Sequence, residues 1–185
     1  MNGQWLPLAV KIHCELWSNH MRRVLVKEDL CIGCGLCRVQ CETHHSGRGD
    51  DDIVKAFKKR AVPPTGGIRI EQSGIQCLSV RCQHCDDAPC VEACLTGALH
   101  RDEESGLVLV DSEKCIGCGT CTLVCRYGAI ARDQATGKAV KCDGCLDRDV
   151  PRCVSVCPTG ALVVSETTFS PVQPTATAYR RPILV

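Results

Sequence analysis

Large aromatic side chains are scarce in this sequence, whose 185 residues include two Phe, two Tyr and two Trp. The 44% of hydrophobic residues is inflated by cysteine, which that class includes. A core made of side chains alone would therefore be poor in large apolar groups. The formal net charge is only +1, which argues against the basic footprint of a nucleic-acid-binding protein, so we expect no nucleic-acid partner.

Long apolar runs are also missing. No stretch approaches the roughly 20 apolar residues that a membrane-spanning helix needs, so we expect no direct membrane insertion. The N-terminal sequence MNGQWLPLAVKIHCELW has no sustained apolar run and no small-residue cleavage site. VLVKEDL, which follows Arg22 and Arg23, is not the apolar region of a twin-arginine export signal. We therefore predict a cytoplasmic protein with reduced thiols.

The sequence also lacks the usual signs of a substrate site. It has no glycine-rich nucleotide loop, so binding of nicotinamide or flavin is unsupported. No Ser/His/Asp arrangement can be singled out. We predict that the chain has no catalytic residues of its own.

Cysteine is what the sequence has in abundance, with 18 residues. Proteins reach such a density when they contain disulfides, structural zinc or iron–sulfur clusters. Most of these cysteines fall into four groups of four, which we call the first to fourth quartets. They are Cys31, Cys34, Cys37 and Cys41; Cys82, Cys85, Cys90 and Cys94; Cys115, Cys118, Cys121 and Cys125; and Cys142, Cys145, Cys153 and Cys157.

The spacing within the first and third quartets matches the bacterial [4Fe–4S] run, in which three cysteines bind one cubane and the fourth binds its neighbour. Glycines between the cysteines allow backbone amides to approach the sulfides without a Cβ in the way. They are Gly33, Gly35, Gly117 and Gly119. The three-residue gap before each last cysteine suits the start of a helix.

Zinc is the main alternative, because CQHC and CDGC alone could be halves of zinc ribbons. Two cubane motifs and two related quartets favour four [4Fe–4S] clusters over a zinc-binding interaction module. Disulfides do not suit a reducing compartment. Cys14 and Cys77 lie outside every quartet, and we assign neither to a cluster. Cys77, in IQCLSV, is expected to be buried packing.

Similar phrases follow the last three quartets, each with Gly-Ala-Leu or Gly-Ala-Ile at the start of a strand. The polar sequences DEESG and DQATG predict turns, so the strands around each should form a hairpin. RRVLVKEDL predicts a further strand before the first quartet. These repeats predict an α+β fold class, with duplicated ferredoxin-like units of the bacterial two-cluster type, short strands, short helices and long cluster-binding loops.

One segment, residues 42–76, does not repeat. Within it, three aspartates followed by IVKAFKKR predict a capped helix that ends at Pro63 and Pro64. This segment could dock a partner, or its helix could pack on its own domain through Ile53, Val54 and Phe57. His44 and His45 are expected to be solvated loop residues.

Four quartets with middle gaps of two, four, two and seven residues resemble the four-cluster ferredoxin-like subunits of large redox enzymes. The segment HHSGRGDDDIVKAFKKR together with CQHCDDAPCVEACLTGAL looks most like the iron–sulfur subunit associated with carbon monoxide dehydrogenase. The match covers about residues 21–166. Similar subunits occur in tungsten or molybdenum oxidoreductases of aldehyde or formate and in hydrogenases, and these are the alternatives.

The resemblance implies crossed ligation, in which the first quartet pairs with the fourth and the second with the third. The four ligand sets are then Cys31, Cys34, Cys37 and Cys157; Cys142, Cys145, Cys153 and Cys41; Cys82, Cys85, Cys90 and Cys125; and Cys115, Cys118, Cys121 and Cys94.

The same resemblance divides the chain into five parts. These are an N-terminal extension (1–20), a first dicluster unit (21–41 plus 138–166), an insertion with a helix (42–76), a second dicluster unit (77–137) and a C-terminal tail (167–185).

The implied function is electron relay through four [4Fe–4S] clusters. The expected partners are a catalytic redox subunit and an electron acceptor, which could be a protein, a flavoprotein or a hydrogenase. The chain itself is expected not to be an enzyme.

Overall fold

The computed structural model describes residues 22–47 and 52–165. The predicted N-terminal extension and C-terminal tail lie outside these residues, as does Cys14. Among the helices that are described, none is long and apolar enough to cross a bilayer.

The strands form four antiparallel pairs, each a sheet of its own. The pairs are β1 (Arg23–Val26) with β8 (Leu162–Ser165), β2 (Ile68–Ser73) with β3 (Gln76–Arg81), β4 (Leu99–Arg101) with β5 (Val108–Val110), and β6 (Ala131–Arg132) with β7 (Ala139–Val140).

Two of these pairs are the hairpins predicted from DEESG and DQATG, and both predictions are confirmed. An aspartate organises each turn. The Asp102 carboxylate accepts a hydrogen bond from the Ser105 backbone N–H at 2.7 Å, and Asp133 does the same for Thr136 at 3.0 Å. These side-chain bonds mimic a backbone turn and fix where each strand reverses.

The strand predicted before the first quartet is also confirmed as β1. Its partner is β8, which follows the fourth quartet, in a register that pairs Arg23 with Ser165 and Val26 with Leu162. This pairing holds together the two ends of the described chain. It also brings the segments around the first and fourth quartets to the same side of the molecule.

Each quartet places its third cysteine in a short helix. The helices are α1 (Leu36–His44), α2 (Ile53–Phe57), α3 (Pro89–Glu92), α4 (Thr120–Val124) and α5 (Arg152–Ser155), of which α2 is the one without a quartet cysteine. The residues that cap α1 and α4 are Gly35 and Gly119, whose φ angles of 77° and 82° are left-handed. Glycine reaches such angles without the steric cost that a Cβ imposes.

The helix of the unrepeated segment is shorter than predicted. The Asp52 side chain caps α2 by accepting from the Lys55 N–H at 3.1 Å, as the acidic start suggested. The helix ends at Phe57, well before the two prolines, because Lys58 takes an extended conformation with ψ 135°. Ile53 and Val54, which would be buried if the helix packed on its own domain through them, are 46% and 67% exposed, and the buried residue of the helix is Ala56.

Gly66 and Gly67, just before β2, pass close to two quartets. A Cβ on Gly67 would lie 2.3 Å from the backbone nitrogen of Cys142, and one on Gly66 would lie 2.9 Å from that of Glu42. The chain therefore passes between the end of α1 and the start of the fourth quartet. The hairpin that follows spans residues 68–81, so the predicted boundary at 76–77 falls inside it.

We predict that Gly67→Ala disrupts the fourth quartet, because the new methyl group must displace the backbone of Cys142. We expect a loss of stability of about 1–3 kcal/mol, typical of overpacking, and iron retention well below that of the parent protein. Anaerobic thermal unfolding and iron analysis measure both.

The control is Gly74→Ala, because Gly74 has open space around it although its φ is +59°. This variant carries only the conformational cost of a left-handed alanine. Full iron loss in the Gly74 variant, or full iron retention in the Gly67 variant, would contradict the close-contact argument.

Candidate metal centres

All seventeen cysteines among the described residues are free thiols, and none of them forms a disulfide. The seventeenth, Cys77, differs from the prediction because it is half-buried rather than buried. It lies on β3 against the loop of the first quartet, where a Cβ on Gly33 would meet its Sγ at 2.6 Å. Gly33 therefore has a packing role as well as a φ of +68°.

The quartet cysteines belong to two packed clusters of buried residues. One contains Cys37, Cys41 and Cys153, with Cys157 packed against it. The other contains Cys90 and Cys121, with Cys94 and Cys125 packed against it. Helix contacts follow the same division, since α1 contacts α5 and α3 contacts α4.

The last cysteine of a quartet interacts electrostatically with another quartet in three cases. These pairs are Cys41 with Cys142 and Cys145, Cys125 with Cys85 and Cys90, and Cys94 with Cys118 and Cys121.

One cavity is lined by the last cysteine of one quartet together with three cysteines of another. Its volume is about 20 Å³, and its lining includes Cys94 from the second quartet and Cys115, Cys118 and Cys121 from the third. Ala98, Leu99 and Val110 are among the apolar residues that complete its wall. Four thiols around one apolar concavity are a donor set that suits a [4Fe–4S] cubane.

Backbone N–H groups point at several of the quartet sulfurs. Such donors stabilise a negatively charged sulfur and tune the potential of an iron–sulfur centre. The pairs, with N to Sγ distances, are Gly67 to Cys41 at 3.2 Å, Ala129 to Cys125 at 3.3 Å, and Leu99 to Cys94, Ala139 to Cys115, His84 to Cys82 and Gly144 to Cys142, each at 3.4 Å.

Two of the buried donors that have no acceptor among the described residues belong to the segment around the second quartet. They are Nη1 of Arg81 and Nε2 of His84. The Nδ1 atom of His84 accepts from the Val108 N–H at 3.1 Å, so the proton of the neutral ring is on Nε2. Burial lowers the pKa of His84 to about 3. Unsatisfied buried donors are costly, and sulfide-rich clusters held by the neighbouring cysteines would provide acceptors.

Two family models match the chain. A 4Fe-4S dicluster domain matches residues 74–167, and a 4Fe-4S binding domain matches residues 28–44.

Individual relatives extend the match over most of the chain. The thiosulfate reductase electron transfer subunit PhsB of Salmonella typhi is 37% identical over 169 residues, which cover 84% of this chain and 82% of its own. The B subunit of the anaerobic dimethyl sulfoxide reductase of Escherichia coli (strain K12) is 36% identical, with coverages of 71% and 67%. The polyferredoxin-like subunit of the aliphatic sulfonate oxidoreductase of Pyrococcus furiosus is 39% identical, with coverages of 72% and 70%.

The chain belongs to the 4Fe-4S dicluster family of electron-transfer subunits. It is therefore an iron–sulfur electron-transfer subunit of an oxidoreductase complex, with multiple [4Fe–4S] clusters and a catalytic subunit as its partner. The expected ferredoxin-like fold and cofactor type are confirmed. The expected closeness to carbon monoxide dehydrogenase is not what these relatives indicate.

Burial raises the pKa of eight of the seventeen described cysteines, and these thiols resist ionisation. Burial raises the pKa of Cys153 to about 12 and that of Cys142 to about 11. A thiol must lose its proton to bind a metal, so metal binding here releases protons and offsets the desolvation of the thiolate. By contrast, hydrogen bonds from Thr120 lower the pKa of the exposed Cys118.

Two cations that the sequence did not single out are buried beside the quartets. Arg81 is 1% exposed and Lys141 is 3% exposed. The positive charge of Arg81 lowers the pKa of Cys153, and that of Lys141 lowers the pKa of Cys90 and Cys142, in each case against the larger opposing effect of burial. These two side chains therefore stabilise negative charge on sulfurs of the second and fourth quartets.

A sequence signal for these cations exists. Arg81 and Lys141 each stand directly before the first cysteine of a quartet, as does Lys114 before Cys115. The position alone does not decide burial, since Lys114 is 62% exposed. The Nζ atom of Lys141 donates to the carbonyls of Val108 and Cys142, the latter at 2.8 Å, which holds its charge inside.

The two histidines after the first quartet also differ from the prediction. His44 is the last residue of α1 and His45 caps it, so neither is in a solvated loop. Their side chains are 21% and 20% exposed, and both face the carboxylate of Asp143. Burial lowers the pKa of His45.

We predict that Lys141→Met makes the reduction potential of a nearby cluster more negative. Methionine keeps the length of the side chain but removes a charge that stabilises the added electron. A unit charge at this depth is worth on the order of 50–100 mV. Anaerobic redox titration followed by electron paramagnetic resonance measures the change.

Lys114→Met is the matched control, because this lysine has the same position relative to a quartet but lies on the surface, where solvent screens it. Equal shifts in both variants would show that burial of the charge is irrelevant.

Proposed function

We propose that this subunit relays electrons for an oxidoreductase of the molybdenum or tungsten class whose substrate is an oxidised sulfur compound. The names of its relatives support this, since they refer to thiosulfate, dimethyl sulfoxide and aliphatic sulfonate. They favour the alternative of a molybdenum or tungsten enzyme over carbon monoxide dehydrogenase. The matched region covers two thirds or more of the length of each of these relatives.

We also propose the crossed ligation implied by the sequence resemblance, with the four ligand sets given there. The observation that carries it is the concavity lined by Cys94 together with Cys115, Cys118 and Cys121. The proximity of Cys41 to Cys142 and Cys145 supports the same exchange in the other half. The division into two dicluster units is part of this proposal.

Electrons enter and leave where a thiol reaches the surface. Cys34 and Cys118 are the exposed quartet cysteines. Each has exposed apolar side chains in the same loop or in the helix that follows, among them Ile32 at 65% and Leu123 at 86%. A [4Fe–4S] cluster carries one electron at a time. We call the exposed apolar side chains around Cys34 and around Cys118 the two apolar rims. Each rim would exclude water when a partner docks on it.

We predict that pairs of cysteine variants reveal which cysteines share a cluster. In the crossed scheme Cys37 and Cys157 bind the same cube, so the double alanine variant loses about four iron atoms, no more than either single variant. Cys153 and Cys157 bind different cubes, so their double variant loses about eight. Iron and acid-labile sulfide analysis after anaerobic reconstitution measures both.

An uncrossed scheme reverses these two results. It places Cys153 and Cys157 on one cube and Cys37 on another. Equal losses from the two double variants would leave the crossed scheme without support. A parallel pair in the other unit, Cys94 with Cys121 and Cys94 with Cys90, repeats the comparison independently.

We predict that the tagged subunit, isolated anaerobically from its own cells, brings with it a large catalytic subunit that reduces thiosulfate or a sulfoxide with reduced viologen.

Leu123→Asp should lower the rate supported by the physiological donor at least severalfold, because a charge in an apolar docking rim costs desolvation energy. Isolation followed by activity assays tests both statements.

Ile75→Asp is the control, since Ile75 is 99% exposed in the turn between β2 and β3 and lies outside both rims. A co-isolated subunit that oxidises carbon monoxide would overturn the proposed substrate class. An unchanged rate in the Leu123 variant would exclude the rim as a docking surface.

A further inference from the structure

A group of ligand-type side chains lies outside the four quartets. His44, His45 and Asp143 each offer one ligand atom, and these atoms lie within 4.8 Å of one another. The histidines come from the end of α1, and the aspartate comes from the loop between the first two cysteines of the fourth quartet. None of the three is needed as a ligand by the four cubanes.

The Asp143 carboxylate is oriented toward the histidines. Its Oδ1 atom accepts a hydrogen bond from the Cys145 N–H at 2.9 Å, which leaves Oδ2 on the other side. Oδ2 lies 3.0 Å from Nε2 of His44 and 3.9 Å from Nε2 of His45. A fixed outer hydrogen bond of this kind is typical of carboxylates that bind metals.

A simple ion pair does not account for both histidines. The contact of His44 with Asp143 would by itself tie α1 to the fourth quartet. It leaves Nε2 of His45 buried, with no hydrogen-bond partner among the described residues, and facing the same carboxylate oxygen. The rings of His44 and His45 meet edge to face, with centroids 4.9 Å apart, so both can approach one point.

We propose that His44, His45 and Asp143 bind a divalent transition-metal ion, for which zinc is the best match. Two imidazoles and a carboxylate disfavour magnesium and calcium, which prefer oxygen ligands. Zinc takes such sets in open tetrahedral sites, where bonds of about 2.0–2.1 Å separate the ligand atoms by about 3.3 Å. The distances of 3.0 and 3.9 Å lie on either side of that value.

A zinc ion here would do two things. It would join the end of α1 to the loop of the fourth quartet, which the Gly67 segment also contacts. It would also place positive charge next to Cys142 and Cys145, and so favour the reduced form of a cluster bound there. The site would thereby couple zinc availability to the potential of this relay.

The test is anaerobic equilibrium dialysis of the fully loaded iron–sulfur protein against Zn²⁺, followed by metal analysis. We expect the parent protein to retain one zinc ion more than His45→Gln, with the same iron and sulfide in both. His100→Gln is the matched control, since His100 is an exposed histidine on β4 away from the trio, and it should keep the full zinc content. Zinc should also shift one cluster potential to more positive values in the parent and not in His45→Gln.

Asp143→Asn provides a second variant from the opposite element. Asparagine keeps an oxygen that can accept from the Cys145 N–H but weakens metal binding, so this variant should also lose the zinc ion and retain its iron. Equal zinc in the parent, His45→Gln and Asp143→Asn would overturn the proposal. Iron that falls together with zinc in both variants would also overturn it, because the trio would then support the cluster loops alone.

Discussion

The interaction on which this structure depends is the one between buried thiol sulfurs and the positive groups that face them. The interior contains few large side chains, and cysteines occupy both packed clusters. Burial alone would keep these thiols protonated, as the raised pKa values of Cys142 and Cys153 indicate. Iron, backbone N–H groups and the enclosed charges of Arg81 and Lys141 together make the thiolate form stable. In this subunit the cofactor environment and the hydrophobic core are the same set of residues.

The unrepeated segment contributes to that interior rather than standing apart from it. Its two consecutive glycines pass between α1 and the fourth quartet, and Gly67 donates its N–H to the Cys41 sulfur. The hairpin that follows ends in Arg81, whose side chain is almost fully buried. Sequence repetition therefore marks the cysteine loops, whereas part of the unrepeated segment passes between α1 and the loop of the fourth quartet.

The quartets, the two polar hairpins and β1 could be predicted from the sequence, because spacing, turn residues and local alternation determine them. The short α2 could not, since nothing in the local sequence IVKAFKKR marks the extended conformation that Lys58 adopts. The burial of Lys141 could not be predicted either, because Lys114 occupies the same position relative to another quartet and is exposed. His44 was assigned to solvent because its partner, Asp143, lies 99 residues away. Tertiary contacts of this length leave no local signature.

The pairing of β1 with β8 has a consequence for biosynthesis. The ribosome releases β1 long before β8, so the packed cluster around Cys37 and Cys153 has no complete wall until β8 has also emerged. The other cluster is built from residues 88–139 and is enclosed earlier. Iron delivery to the two halves thus becomes ordered in time. The half that joins the ends of the described chain is completed last, and its free thiols need protection from oxygen for longer.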